Sequence, residues 1–407
     1  MPLQSKLNNS PANEPRLSII IACYNCEKTL EEAVASVYKQ NINIDYDVIL
    51  VDDASTDSTR TLMDKLAIQY PHIKCFSHEV NLGGGATRNT AVESSASNIF
   101  FCLDSDDILY PGTLGNMVEM IIKKKCDGIG ISTSITFQGK SQNNVIETTN
   151  FGSINNIVPF ESLFQKRGQS LCSLYSTFMF TKVAFVMTGG YPTHHGFDTQ
   201  GFAYRFLSND LTAYVCPNSV YLHRINYNKS YYMREYESGK LNLNWLFILV
   251  EHLYLFSDDV KKLILKFDIN SDDNIIETLI YHRNFLADNY RTLIQRNVKQ
   301  NQINVIKSSD TNNLNPYDAL WLAYILLCQN EYNEAKKYFG ISENQNIDSW
   351  FVKEGLLRCQ DGIDGLTIKE IEARSLQRLS LTKRGSKMFI LKRIYKKLNR
   401  IINKVFR

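Results

Sequence analysis

The first 140 residues alternate between short apolar segments and segments with helical periodicity. Four apolar runs have the length and composition of buried strands, and they lie at 17–23, 47–51, 73–76 and 97–103. Between them, residues 28–40 place their apolar side chains on one helical face, and residues 83–95 follow a glycine-rich turn. Strands that alternate with helices form a parallel sheet with helices on both faces. We therefore predict an α/β domain of Rossmann-like type.

Polar residues follow three of these predicted strands. Tyr24 and Asn25 come after the first strand, Asp52 and Asp53 after the second, and residues 104–107 (Asp-Ser-Asp-Asp) after the fourth. Ligands of open α/β sheets bind beyond the carboxyl ends of the strands. The three segments are therefore expected to meet at one edge of the sheet and to form a ligand site there.

The segment at 104–107 carries the pattern of a divalent-cation site. Alternate residues of an extended segment point the same way, so Asp104 and Asp106 present two carboxylates together. A hard cation such as Mg²⁺ or Mn²⁺ prefers such oxygen ligands. The other interpretation is a solvated turn in which Asp107 caps a helix that opens at Pro111.

Four motifs occur in a fixed order near the N-terminus. They read RLSIIIACYNCEKTLEEAVASV, VILVDDASTDST, NLGGGATRNTAV and FFCLDSDDILYPGTL. This series resembles glycosyltransferase family 2, whose members have the GT-A fold. The resemblance spans about residues 16 to 225. It implies a metal-dependent transferase that moves a sugar from a nucleoside diphosphate, usually UDP, with inversion at the anomeric carbon.

The resemblance assigns roles to five residues. It implies that Tyr24 lies against the nucleotide base and that Asp53 hydrogen-bonds the base. Arg88 is expected to pair with Asp104 or to approach phosphate. Asp104 is expected near the ribose or the metal, and Asp106 is expected to be the principal metal ligand. From the residues alone, Tyr24 also fits a core position, and Arg88 also fits a structural ion pair.

The catalytic base is less clearly marked. Family members commonly carry a Glu-Asp pair about six residues before an arginine. Alignment on Arg205 puts Asp198 at the Glu position and Thr199 where the base is usual. Because threonine is not a base at neutral pH, Asp198 is the predicted base, shifted by one residue. His194, His195, no side-chain base at all, or a helix-capping role for Asp198 are the alternatives.

The second half of the chain has the residue pattern of α-helices. We predict a flexible lead-in at 1–15, a GT-A domain at 16–240, a helical domain at 241–382 and a basic tail at 383–407. Residues 315–339 resemble one tetratricopeptide-like unit, although an ordinary helical hairpin explains them as well. His223, after a late apolar run, is a further possible metal or diphosphate contact.

The tail concentrates the positive charge of the chain. It holds ten Lys or Arg and no acidic residue, and its apolar residues recur at helical spacing. A basic amphipathic helix of this kind is typical of segments that lie on an anionic membrane surface. A packed helix with a solvated basic face is the alternative. The positive charge alone also fits nucleic acid, but no interleaved stacking motif elsewhere in the chain supports that partner. The nine cysteines are an odd number scattered through apolar segments, which indicates a reducing compartment.

The sequence thus predicts a cytoplasmic enzyme, peripheral on the inner face of the cell membrane, that takes part in polysaccharide assembly. Its donor would be a UDP-linked hexose or N-acetylhexosamine, and its acceptor a glycan, a lipid-linked sugar or a protein. The alternatives are a protein that binds sugar nucleotides without transfer, or a scaffold built on the helical region.

Overall fold

The computed structural model describes most of the chain from residue 14 to residue 384. The described residues are 14–139, 142–151, 156–164, 172–175, 177–225, 240–269, 271, 273, 275–280, 285–295, 298–345, 347 and 349–384. The basic tail predicted at 383–407 lies outside this part of the chain from residue 385 onward, and so do residues 1–13 of the lead-in.

The chain divides into two compact units. Unit 1 comprises Met1–Val260 and Asn274–Asn304, and unit 2 comprises Lys261–Asp273 and Val305–Arg407. The first helix beyond residue 240 therefore packs with the α/β region, and the predicted boundary between residues 240 and 241 falls inside unit 1.

Unit 1 contains eleven strands within the described residues. They are β1 (Arg16–Cys23), β2 (Asp45–Asp52), β3 (Ile73–Ser77), β4 (Ile99–Cys102), β5 (Ile108–Leu109), β6 (Gly128–Gly130), β7 (Thr133–Gln138), β8 (Val145–Asn150), β9 (Phe178–Thr181), β10 (Ala213–Val215) and β11 (Val220–Ile225). All four strands predicted in the first 103 residues are present.

Seven strands form the main sheet in the order β10-β6-β9-β4-β1-β2-β3. The strands β4, β1, β2 and β3 run parallel, as do β10 and β6. Strand β9 is antiparallel to both of its neighbours. The parallel sheet predicted from the first 140 residues is confirmed for β4, β1, β2 and β3. Strand β9 lies beyond that region of the sequence, and it makes the complete sheet mixed.

A second sheet has the order β5-β11-β7-β8. Its strand β5 directly follows the acidic turn, the name we give to residues 104–107, and pairs antiparallel with β11. Strand β11 carries His223 and pairs with β7 over six residues. The small sheet therefore holds the acidic turn between itself and the main sheet.

Helices and short 3₁₀ turns complete unit 1. The α-helices of its first part are α1 (Leu30–Val37), α2 (Thr59–Gln69), α3 (Gly84–Glu93), α4 (Thr113–Lys124), α5 (Lys182–Thr188), α6 (Asp198–Ser208) and α7 (Leu241–Glu251). Those that follow in unit 1, wholly or in part, are α8 (Asp258–Lys266), α9 (Ile275–Ile280), α10 (Tyr290–Leu293) and α11 (Val298–Ser308). The 3₁₀ turns are Phe160–Phe164 and Leu253–Leu255.

Strand β1 lies at the centre of the main core. Leu17, Ile19, Ile20 and Ile21 are each 0% exposed, so both faces of the strand are covered. Burial of each such side chain stabilises the fold by about 1.5–3 kcal/mol. This explains why the continuous apolar run, rather than an alternating pattern, marks the strand.

Hydrogen bonds at both ends of helix α7 join it to the region of α6. The Gly196 amide donates to Asn244 Oδ1 (3.2 Å), just before α6 begins. Near the far end of both helices, Arg205 Nε donates to Glu251 Oε1 (2.8 Å). These bonds explain why α7 belongs to unit 1.

The Glu251 carboxylate is a buried ion-pair acceptor. The Glu251 side chain is 3% exposed, and its Oε1 also pairs with Lys299 Nζ at 3.1 Å. Burial alone would raise the pKa of Glu251, but Arg205 and Lys299 outweigh burial and hold that pKa well below 4.5. The neighbouring His252 is also buried, and burial lowers its pKa to about 4.

These shifts predict a stability that falls in acid. A carboxylate whose pKa is depressed by folding contributes stability above its unfolded pKa and loses that contribution as the pH falls. We expect Glu251→Gln to lower the free energy of unfolding at pH 7 by roughly 3–5 kcal/mol, because Arg205 loses its charged partner. In denaturant titrations the difference between wild type and variant should begin to shrink as the pH falls below 4.5 and should disappear below the depressed pKa of Glu251 in the folded state. The exposed Glu119→Gln is the control, and a pH-independent difference between wild type and Glu251→Gln would contradict the assignment.

Unit 2 is helical in the part of the chain that the structure describes. Its helices include α12 (Pro316–Cys328), α13 (Tyr332–Asn344), α14 (Trp350–Ile363) and α15 (Ile368–Arg384), and each of them packs against the next. The mainly helical C-terminal region is thereby confirmed. The segment at 315–339 forms a helical hairpin, and its tetratricopeptide character stays a prediction. No described helix is both long and apolar enough to cross a membrane.

Candidate functional site

The loops after β1 and β2 are joined by hydrogen bonds. The Asn25 amide donates to Ser55 Oγ (3.0 Å), and the Thr56 amide donates to Asn25 Oδ1 (2.8 Å). Because β4, β1 and β2 are adjacent and parallel, the acidic turn emerges at the same edge. The predicted convergence of three polar segments is therefore confirmed.

Tyr24 lies at this edge, directly after β1, and is 47% exposed. Exposure excludes the core position that a tyrosine in an apolar segment also allows. An exposed aromatic ring at the end of a strand is available for stacking on a flat heterocycle. Its contact with a nucleotide base stays a prediction.

Asp53 is buried at 3% exposure, and its carboxylate is used within the protein. Oδ1 accepts from the Leu82 amide (2.7 Å) and contacts His78 Nδ1 (2.9 Å), while Oδ2 accepts from the Gly83 amide (2.9 Å). His78 Nε2 in turn contacts Thr90 Oγ1 at 3.0 Å. Asp53 thus fixes the glycine-rich turn that leads into α3. Of the acceptor positions of this carboxylate, at most one, on Oδ2, is left for the predicted hydrogen bond to the base.

Glycine is required at two positions of the glycine-rich turn, because other parts of the chain approach them closely. A Cβ added to Gly85 would lie 1.9 Å from the Pro192 carbonyl oxygen, and one added to Gly84 would lie 2.7 Å from Arg88 Nη1 and 3.1 Å from Asp198 Oδ2. The two glycines therefore allow the start of α3 to touch the loop before α6. Asp198 reaches the sheet edge because of this contact.

Arg88, on α3, joins two predicted site carboxylates. Its Nη2 donates to Asp104 Oδ1 (2.6 Å), and its Nη1 donates to Asp198 Oδ2. Its side chain is only 12% exposed. Burial acts to lower the pKa of Arg88, but the charges of Asp198 and Asp104 outweigh burial and raise it. The acidic turn and the predicted base are therefore held together by one guanidinium.

Asp198 is the first residue of α6, and its carboxylate is 17% exposed. The capping residue of the helix is Phe197, so the alternative role of Asp198 as the N-cap is not realised. The Thr199 hydroxyl bonds to Gln200 Oε1 (3.0 Å). Of the two neighbours, Asp198 is the residue that reaches Arg88 at the sheet edge.

The His195 side chain packs against helix α7. Its ring stacks on Phe247 with centroids 6.0 Å apart and planes 12° apart, and its Nδ1 contacts the Gly196 carbonyl. Burial lowers the pKa of His195. These features favour Asp198 over His195 as the group that accepts a proton.

Asp107 anchors the acidic turn to β11. Its Oδ2 contacts His223 Nδ1 (3.0 Å), and its Oδ1 accepts from the Arg224 amide (2.7 Å). Helix α4 begins at Thr113 with Gly112 as its capping residue. The interpretation of Asp107 as a helix cap was therefore wrong, because β11 supplies both of the donors that its carboxylate receives.

Arg224 is a site residue that sequence reasoning missed. It is buried, its Nε donates to the Asp106 carbonyl (2.8 Å), and its Nη2 pairs with Glu32 of α1. Its Nη1 donates to the Gly139 carbonyl (2.5 Å), and its guanidinium lies 4.7 Å above the Phe137 ring. Arg224 fixes the backbone of the acidic turn. Its partners are distant in sequence, so no local spacing marks it.

Asp106 is the solvent-exposed carboxylate of the acidic turn. The surrounding protein removes part of its solvation, and the charges of Asp107 and Asp104 add to this effect, so that its pKa is raised to about 7. His223 acts in the opposite sense. The turn therefore concentrates negative charge that a divalent cation would neutralise.

The carboxylates of the acidic turn suit a cation that is bound partly by the protein and partly by the phosphate oxygens of the substrate. Among the described residues, no group of three or more His, Cys, Asp or Glu side chains is arranged to hold a metal ion. Mg²⁺ is commonly bound by only one or two protein carboxylates, with phosphate oxygens and water as the other ligands. Asp106 fits that arrangement, whereas one oxygen of Asp104 is already paired with Arg88.

Comparison with known proteins identifies the family of the α/β domain. Residues 18–189 match the sequence profile described as "Glycosyl transferase family 2". Residues 18–189 are therefore a glycosyl transferase family 2 domain. The matched range includes Tyr24, Asp53, Arg88 and the acidic turn, and it ends before Asp198.

Several curated relatives are glycosyltransferases. The Escherichia coli protein "UDP-Glc:alpha-D-GlcNAc-diphosphoundecaprenol beta-1,3-glucosyltransferase WfgD" is 33% identical over 107 residues, which cover 26% of this chain and 41% of that protein. The "Poly(ribitol-phosphate) beta-glucosyltransferase" of Bacillus spizizenii is 34% identical over 96 residues, or 23% of this chain and 15% of that protein. The chain thus spans well under half the length of these relatives.

A comparison with solved structures matches the chain to residues 1–349 of Staphylococcus aureus TarS in complex with UDP-GlcNAc. It has a TM-score of 0.48 and 16% sequence identity, and the superposition covers 85% of this chain and 92% of that chain.

Proposed function

We propose that the protein is a metal-dependent glycosyltransferase that moves a sugar from a UDP donor to a glycan or a lipid-linked sugar. The carrying observation is the Arg88 guanidinium, which joins Asp104 of the acidic turn to Asp198 at the edge of a family 2 domain. The name of WfgD, which includes a UDP-Glc donor, supports the choice of UDP.

Transfer requires two changes at the anomeric carbon. The bond from this carbon to the diphosphate oxygen breaks, and a bond to the acceptor hydroxyl oxygen forms as its proton passes to a base. We assign the base to Asp198, whose Oδ2 is held by Arg88 while Oδ1 has no hydrogen-bond partner among the described residues. Attack opposite the leaving diphosphate gives inversion.

The donor is assigned to the edge formed by the loops after β1, β2 and β4. Tyr24 would cover the base, and the acidic turn would face the diphosphate. A bound Mn²⁺ or Mg²⁺ would be held chiefly by Asp106, beside Asp104, and would neutralise the charge of the diphosphate. His223 is a further candidate ligand, because its Nδ1 faces Asp107 and leaves Nε2 available.

The acceptor and the cellular setting are proposed from the name of one relative and from the sequence of the tail. The printed name of WfgD includes a sugar on diphosphoundecaprenol, which is consistent with a lipid-linked acceptor for this chain as well. A membrane-surface role of residues 383–407, on the cytoplasmic side, follows from their sequence alone.

The test is donor turnover. Purified protein is incubated with UDP-Glc or UDP-GlcNAc, with Mn²⁺ or with EDTA, and released UDP is measured. We expect slow release of UDP from at least one donor with Mn²⁺, and none with EDTA. Binding of UDP without release from either donor would favour a sugar-nucleotide-binding protein. Neither binding nor release would favour a scaffold.

A further inference from the structure

The Arg224 side chain joins separate parts of the chain at the acidic turn. Its Nε donates to the Asp106 carbonyl (2.8 Å), its Nη1 donates to the Gly139 carbonyl (2.5 Å), and its Nη2 pairs with Glu32. The side chain is buried, and its guanidinium lies 4.7 Å from the centre of the Phe137 ring. Because each nitrogen of the guanidinium is engaged within the protein, we assign Arg224 no contact with the donor.

Arg224 holds the backbone of the acidic turn at two consecutive residues. Its side chain binds the carbonyl of Asp106, and its own amide donates to Asp107 Oδ1 (2.7 Å). These bonds fix the main chain on the C-terminal side of Asp106, and with it the direction in which the Asp106 side chain leaves the backbone. Functional groups must be held within about 0.5 Å of their productive geometry by supporting contacts of this kind. The exposed Asp106 carboxylate is thus aimed by a residue of β11.

Glu32 supplies the counter-charge for this guanidinium. It lies on α1 and is partly exposed, and its Oε2 pairs with Arg224 while its Oε1 accepts from Gln142 Nε2 (3.3 Å). A buried charge that loses its partner is strongly destabilising. Without Glu32, the carboxylates of the acidic turn would be the partners within reach, because the guanidinium already bonds to the main chain of Asp106. Glu32 therefore keeps the Asp106 carboxylate available for a cation.

We propose that Arg224 and Glu32 are a positioning pair for the donor cation: they orient the Asp106 carboxylate toward Mn²⁺ or Mg²⁺ without binding the cation themselves. This inference rests on the proposed function and adds to its metal site two residues from distant parts of the chain. Arg224 lies beyond residues 18–189, the range that matches the family profile. Replacement of residues that orient metal ligands commonly weakens metal affinity by about 10- to 100-fold.

Charge and position make different predictions for Arg224. A lysine at this position keeps the positive charge but loses the planar fork that serves several acceptors at once. If Arg224 acted only through its charge, Arg224→Lys would respond to the cation as wild type does. If it acts by position, the variant loses metal-assisted binding of UDP.

The test is calorimetric titration of UDP into the full chain with Mn²⁺ and with EDTA. The ratio of the two affinities is the metal enhancement. We expect Arg224→Lys and Glu32→Gln each to reduce this enhancement about tenfold. UDP affinity in EDTA should stay within twofold of wild type, because both substitutions lie outside the loops after β1 and β2. Glu31→Gln, which removes the same charge from the exposed neighbour on α1, is the control and should keep the enhancement.

Four outcomes would overturn the inference. They are a wild-type enhancement in Glu32→Gln, a wild-type enhancement in folded Arg224→Lys, an equal loss in Glu31→Gln, and a loss of UDP affinity in EDTA as large as that in Mn²⁺. Because Glu32 is partly exposed, Glu32→Gln decides the matter even where Arg224→Lys does not fold. If wild type binds UDP equally with Mn²⁺ and with EDTA, the proposed metal site itself is rejected, and this inference with it.

Discussion

Replacement of Asp198 by asparagine is expected to slow sugar transfer by about a hundred- to ten-thousand-fold, the range typical of general base catalysis. Asparagine keeps the shape of the side chain and an oxygen that can accept from Arg88, but it cannot take the proton of the acceptor hydroxyl. The measurement is kcat for UDP release in the presence of an acceptor, together with the affinity for UDP. UDP affinity should stay within about threefold of wild type, because asparagine can still accept the hydrogen bond from Arg88, which holds Asp104 of the acidic turn.

Thr199→Ala is the matched control, since Thr199 occupies the position where the base is usual in the family. Its hydroxyl bonds only to the neighbouring Gln200 among the contacts that the structure gives, so the variant should keep near wild-type activity. Full activity of Asp198→Asn, or a larger loss in Thr199→Ala than in Asp198→Asn, would refute the assignment of the base.

Replacement of Arg88 by methionine is expected to lower the free energy of unfolding by roughly 3–5 kcal/mol, the cost of leaving buried charges without their partner. Asp104 and Asp198 would then face each other and Asp106 without the guanidinium between them. Urea denaturation of wild type and variant measures the difference. Arg88→Lys should recover only part of the loss, because an ammonium group does not provide the planar fork that serves both carboxylates.

Arg60→Met is the control for this experiment. Arg60 pairs with Asp64 at 3.5 Å on the surface of α2, and both side chains are largely exposed. Exposed pairs of this kind contribute about 0–1 kcal/mol. Equal losses of unfolding free energy in Arg88→Met and Arg60→Met would show that Arg88 does not stabilise the acidic turn and Asp198.

The sequence was sufficient for the first half of the α/β domain. The strands β1, β2 and β4 contain continuous apolar runs that are buried on both faces, and each run is followed by polar residues. Local composition therefore locates both the strands and the edge at which a ligand binds. The resemblance to family 2 implied that Arg88 pairs with Asp104 or approaches phosphate, and in the structure Arg88 pairs with Asp104.

The contacts that complete the site could not be predicted in the same way. Arg224 reaches Glu32 across 192 positions, and Asp198 reaches Arg88 across 110. Such pairs depend on the order of strands and on the small sheet that holds β11 against the acidic turn. Strand β9 has no sequence signal for its direction, and it inserts antiparallel between β4 and β6.

The burial of Asp53 is a further property that the motif did not disclose. A carboxylate after a strand at a binding edge suggests contact with ligand, and the family supports that view. In the structure, two backbone amides of the glycine-rich turn and His78 occupy the carboxylate. The motif specifies the residue type, whereas only the packed turn reveals which groups it serves.

The most direct test of the account is calorimetric titration of UDP into wild type and Asp106→Ala, each with Mn²⁺ and with EDTA. Asp64→Ala, at an exposed position on α2, is the control. We expect wild type and the control to bind UDP at least tenfold more tightly with Mn²⁺ than with EDTA, and Asp106→Ala to lose that difference, because Asp106 is the exposed carboxylate of the acidic turn. Equal UDP affinity of wild type and Asp106→Ala in the presence of Mn²⁺ would contradict the proposed donor site.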